Sequence, residues 1–155
     1  MDARFDAETA EMTRRETPIR PRSHVLIIDD HAPSLALCAS YCDLFDHTTE
    51  GVDSAGEAVS ALRRGSFGVV VLNVHPAAGG ALETVRAIRA LPAPAGVTPI
   101  IGLTATGRDE EAQGWLLAGL AAVLAKPITA SQLFSALGDA LDGRVAETRS
   151  WAPSL

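Results

Sequence analysis

Four short apolar runs limit what this chain can fold into: His24–Asp30 (HVLIIDD), Gly68–Asn73 (GVVVLN), Pro99–Ala105 (PIIGLTA) and Ala121–Pro127 (AAVLAKP). They are rich in β-branched residues and are bounded by Gly, Pro or acids. Each therefore reads as a strand buried on both faces. A weaker strand is expected near His47–Val52. Between the runs, apolar residues recur at helical spacing. Leu35, Cys38, Cys42 and Phe45 do so behind Pro33, and Ala58, Val59 and Leu62 do so within Ala55–Arg64, ahead of Gly65. Pro in a first turn and Gly past a last one are helix start and stop signals. Leu82, Val85 and Ile88 share a face of an expected helix over Ala81–Leu91. Asp109, Glu110 and Glu111 open a fourth helix, where carboxylates complement the helix dipole. Thr129–Gln132 (TASQ) is a capping-box pattern opening a fifth, with Leu133, Leu137 and Leu141 in register and Phe134 beside them.

Strands alternating with helices imply parallel pairing, right-handed crossovers and a sheet covered on both faces. The 155 residues suit one α/β domain over 24–143, with an N-terminal arm at 1–23 and a tail at 144–155 that carries Trp151. A net charge of −6 argues against a nucleic-acid partner. No apolar run reaches the length of a membrane span, and residues 1–23 lack the hydrophobic centre of a secretory signal, so a cytoplasmic protein is expected. Cys38 and Cys42 stand four apart on one helix face and read as small core residues rather than as a disulfide or metal ligands.

In a doubly wound sheet, chemistry collects at the carboxyl ends of the strands. There the first strand ends in Asp29 and Asp30, the third in Asn73, the fourth in Thr104 and the fifth in Lys126. Lys126 is the only lysine beside twelve arginines, a compact ammonium at the edge where the acids gather. Adjacent carboxylates repel unless a cation, an ammonium or solvent relieves them.

These motifs, in this order and at these intervals, resemble the receiver domain of bacterial two-component response regulators over about Ser23–Gly143. The resemblance implies a flavodoxin-like (βα)5 fold with strand order 2-1-3-4-5. It implies that an aspartate ending the third strand takes a phosphoryl group from a histidine kinase. By position, Asp29 and Asp30 match the family's acid pair, Thr104 its switch hydroxyl and Lys126 its lysine. Asn73 stands at the phosphoacceptor position. Three departures follow. The Asn73 amide lacks the anionic oxygen that attacks phosphorus, and it is a weaker ligand for Mg²⁺ than a carboxylate. Pro76 follows Asn73 by three residues rather than the family's four, which displaces the His75 carbonyl expected to help bind Mg²⁺. Val123 stands where the family has an aromatic residue that swings inward on activation.

The expectation is a stand-alone pseudo-receiver that acts by protein–protein contact, with a histidine kinase or a downstream regulator as candidate partner, and with a homodimer left open. Its expected partner surface is the face of the fourth helix, fifth strand and fifth helix, marked by Trp115 and Val123. Trp115 packed on the core is the competing reading. No cofactor is required on this view, and Mg²⁺ at Asp29, Asp30 and the His75 backbone is weakened. The alternative for the acid pair is satisfaction by backbone amides and Lys126. Two other functional readings stand beside this one. One is a sensor of an anionic second messenger such as a cyclic dinucleotide, bound through Arg14, Arg15, Arg20, Arg22, Arg63 and Arg64. The other is phosphorylation at Asp29, Asp30 or His75 instead of Asn73. No nucleophile–base pair or metal triad points to an independent enzyme.

Overall fold

The computed structural model describes residues 23–74, 80–105 and 109–143. The expected N-terminal arm, His75, Pro76 and the tail with Trp151 lie outside them. Five parallel strands, β1 (His24–Ile28), β2 (Thr48–Val52), β3 (Val69–Val74), β4 (Ile100–Thr104) and β5 (Ala122–Ala125), form one sheet in the order β2-β1-β3-β4-β5. The register places Val25 beside both Thr49 and Val69, Val70 beside Ile100, and Thr104 beside both Val74 and Ala125. Five helices connect and flank the strands: α1 (Ala32–Leu44), α2 (Ala55–Arg64), α3 (Gly80–Arg89), α4 (Asp109–Leu117) and α5 (Ala130–Leu141).

Period-2 alternation along the strands divides the core into two layers. Leu26, Ile28, Val70, Leu72, Ile100 and Val123 pack with α2, α3 and α4 through Ala58, Leu62, Val85, Ile88 and Ala112. Val25, Ile27, Val69, Val71, Ile101 and Leu103 pack on the other face with Cys38, Cys42, Leu133 and Leu137 of α1 and α5. Leu26, Ile88, Ile100, Ile101 and Leu133 are fully buried. Each such side chain contributes about 1.5–3 kcal/mol of apolar transfer.

The helix ends follow local chemistry. His31 caps α1 by accepting from Ser34 N at 3.3 Å, with Pro33 in the first turn. Ser54 caps α2 through Glu57 N at 3.2 Å. The expected capping box of α5 forms, with Gln132 N donating to Thr129 Oγ1 at 3.0 Å and Thr129 N donating to Gln132 Oε1 at 2.9 Å.

Several expectations need correcting. The buried stripe of α3 is Ala81, Thr84, Val85 and Ile88, and Leu82 is exposed; it lies about 100° round the helix from Ala81, beyond the edge of the face those four share. Val123 is 1% exposed and cannot belong to a partner surface. As the second residue of a four-residue strand, it points into the α2–α4 layer. Trp115 is half-buried and packs against the same layer. The large apolar side chain that α4 does expose is Leu117, at 87%. His47 falls just before β2 and is buried, accepting from Ser23 N on Nδ1 at 3.0 Å.

Away from the carboxyl edge, the segment after α3 is held by one side chain. Arg89 donates to the carbonyls of Gly96 at 3.0 Å, Thr98 at 2.7 Å and Gly119 at 3.1 Å. It thereby ties the short 3-10 turn Ala95–Val97 to the α4–β5 corner, where Gly119 adopts φ +112°.

Candidate functional site

The strands deliver the expected residues to one edge. Asp29 follows the last residue of β1, is 6% exposed, and donates its backbone N–H to Val52 O at 3.0 Å, which fixes the chain's exit from the sheet. Asn73 is the penultimate residue of β3, between Leu72 and Val74 and level with Leu103 of β4. Its side chain reaches back across the sheet: Asn73 Nδ2 donates to Asp29 Oδ1 at 3.1 Å. The same Oδ1 accepts from His31 N at 2.9 Å. A neutral amide therefore supplies the hydrogen bond that keeps a buried carboxylate satisfied. Asp30, the second acid, is exposed.

Thr104 ends β4, 2% exposed, and its carbonyl accepts from Lys126 N at 2.7 Å. This bond carries the sheet one step past β5 and places Lys126 at the same edge. No ion pair between described residues joins Lys126 to Asp29 or Asp30. The alternative reading of the acid pair is thus met in part, through backbone and amide donors and without the lysine. Both charges are still felt beneath the edge. A hydrogen bond with Cys42, and then burial, push the Cys38 thiol up; the Asp29 charge adds to this and Lys126 opposes it. Cys38 and Cys42 are free, buried thiols, as the core reading of their spacing expects.

A cleft of about 290 Å³ opens beside Asp29, Asp30 and Asn73. Its wall continues through Asp53 and Ser54, after β2, and through Glu83 and Thr84 in the first turns of α3. Reading strand ends alone missed these residues. The signal was present in the rule that collected Asp29 and Asn73, because Asp53 and Ser54 directly follow Val52. The polar, weak β2 run hid where that strand stops.

These residues do not fit a Mg²⁺ site as arranged. Mg²⁺ demands near-octahedral oxygen ligands and usually takes one or two carboxylates with water and phosphate oxygens. Here the Asp29 oxygen that faces Asn73 already takes two N–H donors. No three His, Cys, Asp or Glu side chains converge on a metal position among the described residues. The His75 carbonyl lies outside them.

Arg63 and Arg64 end α2 beside a cavity of about 570 Å³ that Phe67 and Thr98 also line. Arg64 is already engaged with Glu50 at 2.8 Å. Arg14, Arg15, Arg20 and Arg22 lie outside the described residues.

Comparison with known proteins places this geometry. A family model described as the response regulator receiver domain matches residues 25–138. Among curated proteins, the chain is 31% identical over 131 residues to the virulence sensor protein BvgS of Bordetella pertussis, covering 81% of this chain and 11% of that protein. It is 30% identical over 128 residues to the transcription factor SKN7 of Saccharomyces cerevisiae, covering 82% of this chain and 20% of that protein. The chain thus spans only a small part of these relatives. Among solved structures, a sensor protein from Polaromonas sp. JS666 superposes with a TM-score of 0.70 at 21% identity, over 79% of this chain and 98% of that one. The chemotaxis response regulator CheY4 of Vibrio cholerae gives 0.67 at 22% identity, over 77% and 99%. The receiver domain of the sensor histidine kinase PA1611 from Pseudomonas aeruginosa, solved with a magnesium ion in its active site cleft, gives 0.68 at 21% identity, over 79% and 99%.

Proposed function

The chain belongs to the response regulator receiver domain family of two-component signalling, and from that premise we propose that it signals without phosphorylation at Asn73, by contact with another signalling protein. One observation carries the reading: the side chain at the phosphoacceptor position is an amide already spent on Asp29 Oδ1. Phosphoryl transfer to a receiver forms a bond between phosphorus and an anionic carboxylate oxygen. The Asn73 lone pairs are delocalised into the amide, and Nδ2 carries its hydrogens towards Asp29, so no anionic nucleophile stands there. An uncharged amide at this position also leaves one anion fewer for a metal ion to neutralise. The edge therefore rests in one arrangement whose buried carboxylate is hydrogen-bonded without phosphate or Mg²⁺.

Without chemistry at the edge, the message lies in which surface is shown. Leu117, at 87% exposure on α4, is an apolar side chain open to solvent, and Phe134 on α5 is 41% exposed with its ring 4.9 Å from that of Phe45. Exposed aromatic and aliphatic side chains are the usual anchors of protein contacts. The anionic-nucleotide reading has less support, since Arg64 is paired with Glu50.

The test is phosphoryl labelling of the full chain with acetyl phosphate or a cognate kinase in Mg²⁺, read by intact mass. No stoichiometric, hydroxylamine-sensitive adduct is expected. An adduct mapped to Asp29 or Asp30 would overturn the proposal and favour phosphorylation at a displaced acid. A pull-down from the host comparing wild type with Leu117→Glu then asks whether bound proteins depend on the α4 face.

A further inference from the structure

The turn between α1 and β2 does more than join them. Its backbone closes α1 in a Schellman pattern: Asp46 N donates to Asp43 O at 3.1 Å, and His47 N donates to Cys42 O at 3.0 Å. Asp46 takes the left-handed conformation that this closure uses, at φ +66°. The closure carries His47 back towards the helix, and its ring is buried. There Nδ1 accepts from Ser23 N at 3.0 Å, while the Ser23 carbonyl accepts from Thr48 N at 3.0 Å. Ser23 thus extends the β1–β2 ladder by one residue, and the ring takes the N–H that the ladder leaves over. An imidazole nitrogen that accepts carries no hydrogen, so the proton sits on Nε2 and the ring is neutral.

We propose that His47 is a pH-sensitive latch on Ser23: the neutral ring holds the start of β1 beside β2, and protonation releases it. The charged imidazole has donors only. Its new Nδ1 hydrogen points at the Ser23 N–H, so that bond ends. The acceptor it can turn to, the Ser23 carbonyl, is already held by Thr48 N. Either two donors stay opposed or the ring takes the carbonyl from Thr48, and both undo this rung. A cavity of about 440 Å³, lined by Ser23, His24, Asp43, Asp46, His47 and Thr48, gives the proton its path. The charged and titratable groups of that cavity are Asp43 and Asp46 at the end of α1 and His24 on β1, while β2 presents the Thr48 hydroxyl, bonded to His24 Nδ1 at 2.7 Å. The two carboxylates give the charged ring a counter-charge, so the released state is one the fold can hold. Burial keeps the ring below the ordinary histidine value of 6.5, and the Asp46 charge and the Ser23 backbone oppose that only in part. Release is therefore an acid event, set below pH 6.5. Residues 1–22 join the domain at Ser23, so the latch couples that junction to pH at the opposite end of the sheet from Asp29 and Asn73.

Nuclear magnetic resonance of the full chain, titrated from about pH 7.5 to about pH 5, tests this through the His47 ring and the Ser23 amide. The ring is expected to titrate with a midpoint below 6.5, and the Ser23 amide resonance to move with the same midpoint. Hydrogen-exchange protection of Ser23, corrected for the intrinsic rate at each pH, should fall at least about tenfold across it, the scale of one lost hydrogen bond. His47→Asn puts an amide oxygen near the place of Nδ1 and has no proton to gain, so Ser23 protection should then vary less than about twofold. His24→Asn removes the neighbouring imidazole and should leave the Ser23 response intact. Far-ultraviolet circular dichroism checks that each variant folds; where one does not, the coincidence of the two wild-type midpoints decides. Wild-type Ser23 protection indifferent to pH, a Ser23 midpoint apart from that of His47, a His47 midpoint at or above 6.5, or a response that persists in His47→Asn or vanishes in His24→Asn would each overturn the proposal.

Discussion

Restoring the family's carboxylate by Asn73→Asp should destabilise the protein unless a cation is supplied. In wild type, Asn73 Nδ2 lies 3.1 Å from Asp29 Oδ1, and both residues are under one-tenth exposed. The substitution turns a donor into a second anion. Two unit charges relaxed to about 4 Å repel by roughly 4 kcal/mol at an effective dielectric of about 20. Losing a hydrogen bond to a charged group is part of the same change, and the open cleft screens some of it. A net loss of about 3 kcal/mol at pH 7 in EDTA is expected, on the scale of other broken buried charge contacts. With a urea m-value of about 1–1.5 kcal/mol/M for a domain this size, the midpoint falls by roughly 2–3 M. The sign with pH follows from linkage. The introduced carboxyl, buried beside an anion, titrates higher in the folded than in the unfolded chain, so the deficit is largest at neutral pH and shrinks as acid protonates it. Millimolar Mg²⁺ should raise the variant's midpoint and leave wild type almost unmoved, because only the variant has a second buried carboxylate beside Asp29. Urea titrations of both proteins, with and without Mg²⁺, decide it. A variant as stable as wild type in EDTA would refute the idea that the Asn73–Asp29 bond stands in for a cation at this edge.

Three other outcomes follow from the described contacts. Arg89→Ala should cost about 2–4 kcal/mol in urea unfolding, since three backbone carbonyls lose one cationic donor; a loss under about 0.5 kcal/mol would mean that water replaces it freely. Gly96→Ala should lower the thermal midpoint sharply, because an added Cβ would lie 1.9 Å from the Leu91 carbonyl oxygen and neither backbone can yield cheaply; an unchanged midpoint would show that the turn repacks. Burial holds the His47 imidazole below the usual histidine value of 6.5, so below that pH the unfolded chain binds the extra proton first. Stability is then complete above about pH 6.5 and lost as the pH drops towards the lower folded value, and calorimetry of His47→Asn should show a flatter decline than wild type between pH 7 and 5.

Much of this fold was legible because its strands are short, apolar and terminated by the residues that matter. Asp29, Asp30, Asn73, Thr104 and Lys126 all reach the predicted edge, and α2 spans the expected Ala55–Arg64. What spacing could not show was orientation and pairing. Leu82 looked interior because it is apolar at a helical interval, yet it lies beyond the edge of the face that Ala81, Thr84, Val85 and Ile88 share. Val123 was placed on a partner surface by the family resemblance, although strand alternation turns its side chain into a helix layer. Lys126 was expected to help satisfy the acid pair from its charge and position, whereas the described donors to Asp29 are the amides of Asn73 and His31. Asp53 and Glu83 went unread because the cleft is made by loops and helix turns that only folding assembles.

The two-layered core has a further consequence. Neighbouring residues of one strand, such as Leu26 and Ile27, belong to different packed sets separated by the sheet's own backbone. Substitutions such as Val85→Ala and Leu137→Ala, one on each side, should therefore combine additively in a double-mutant cycle, with a coupling below about 0.5 kcal/mol. A lineage carrying this fold is then free to remodel one side while the other stays fixed. The acidic cleft opens on the α2–α3 side, so drift in its walls at Asp53 and Glu83 places little constraint on the packing of α1 against α5 on the reverse.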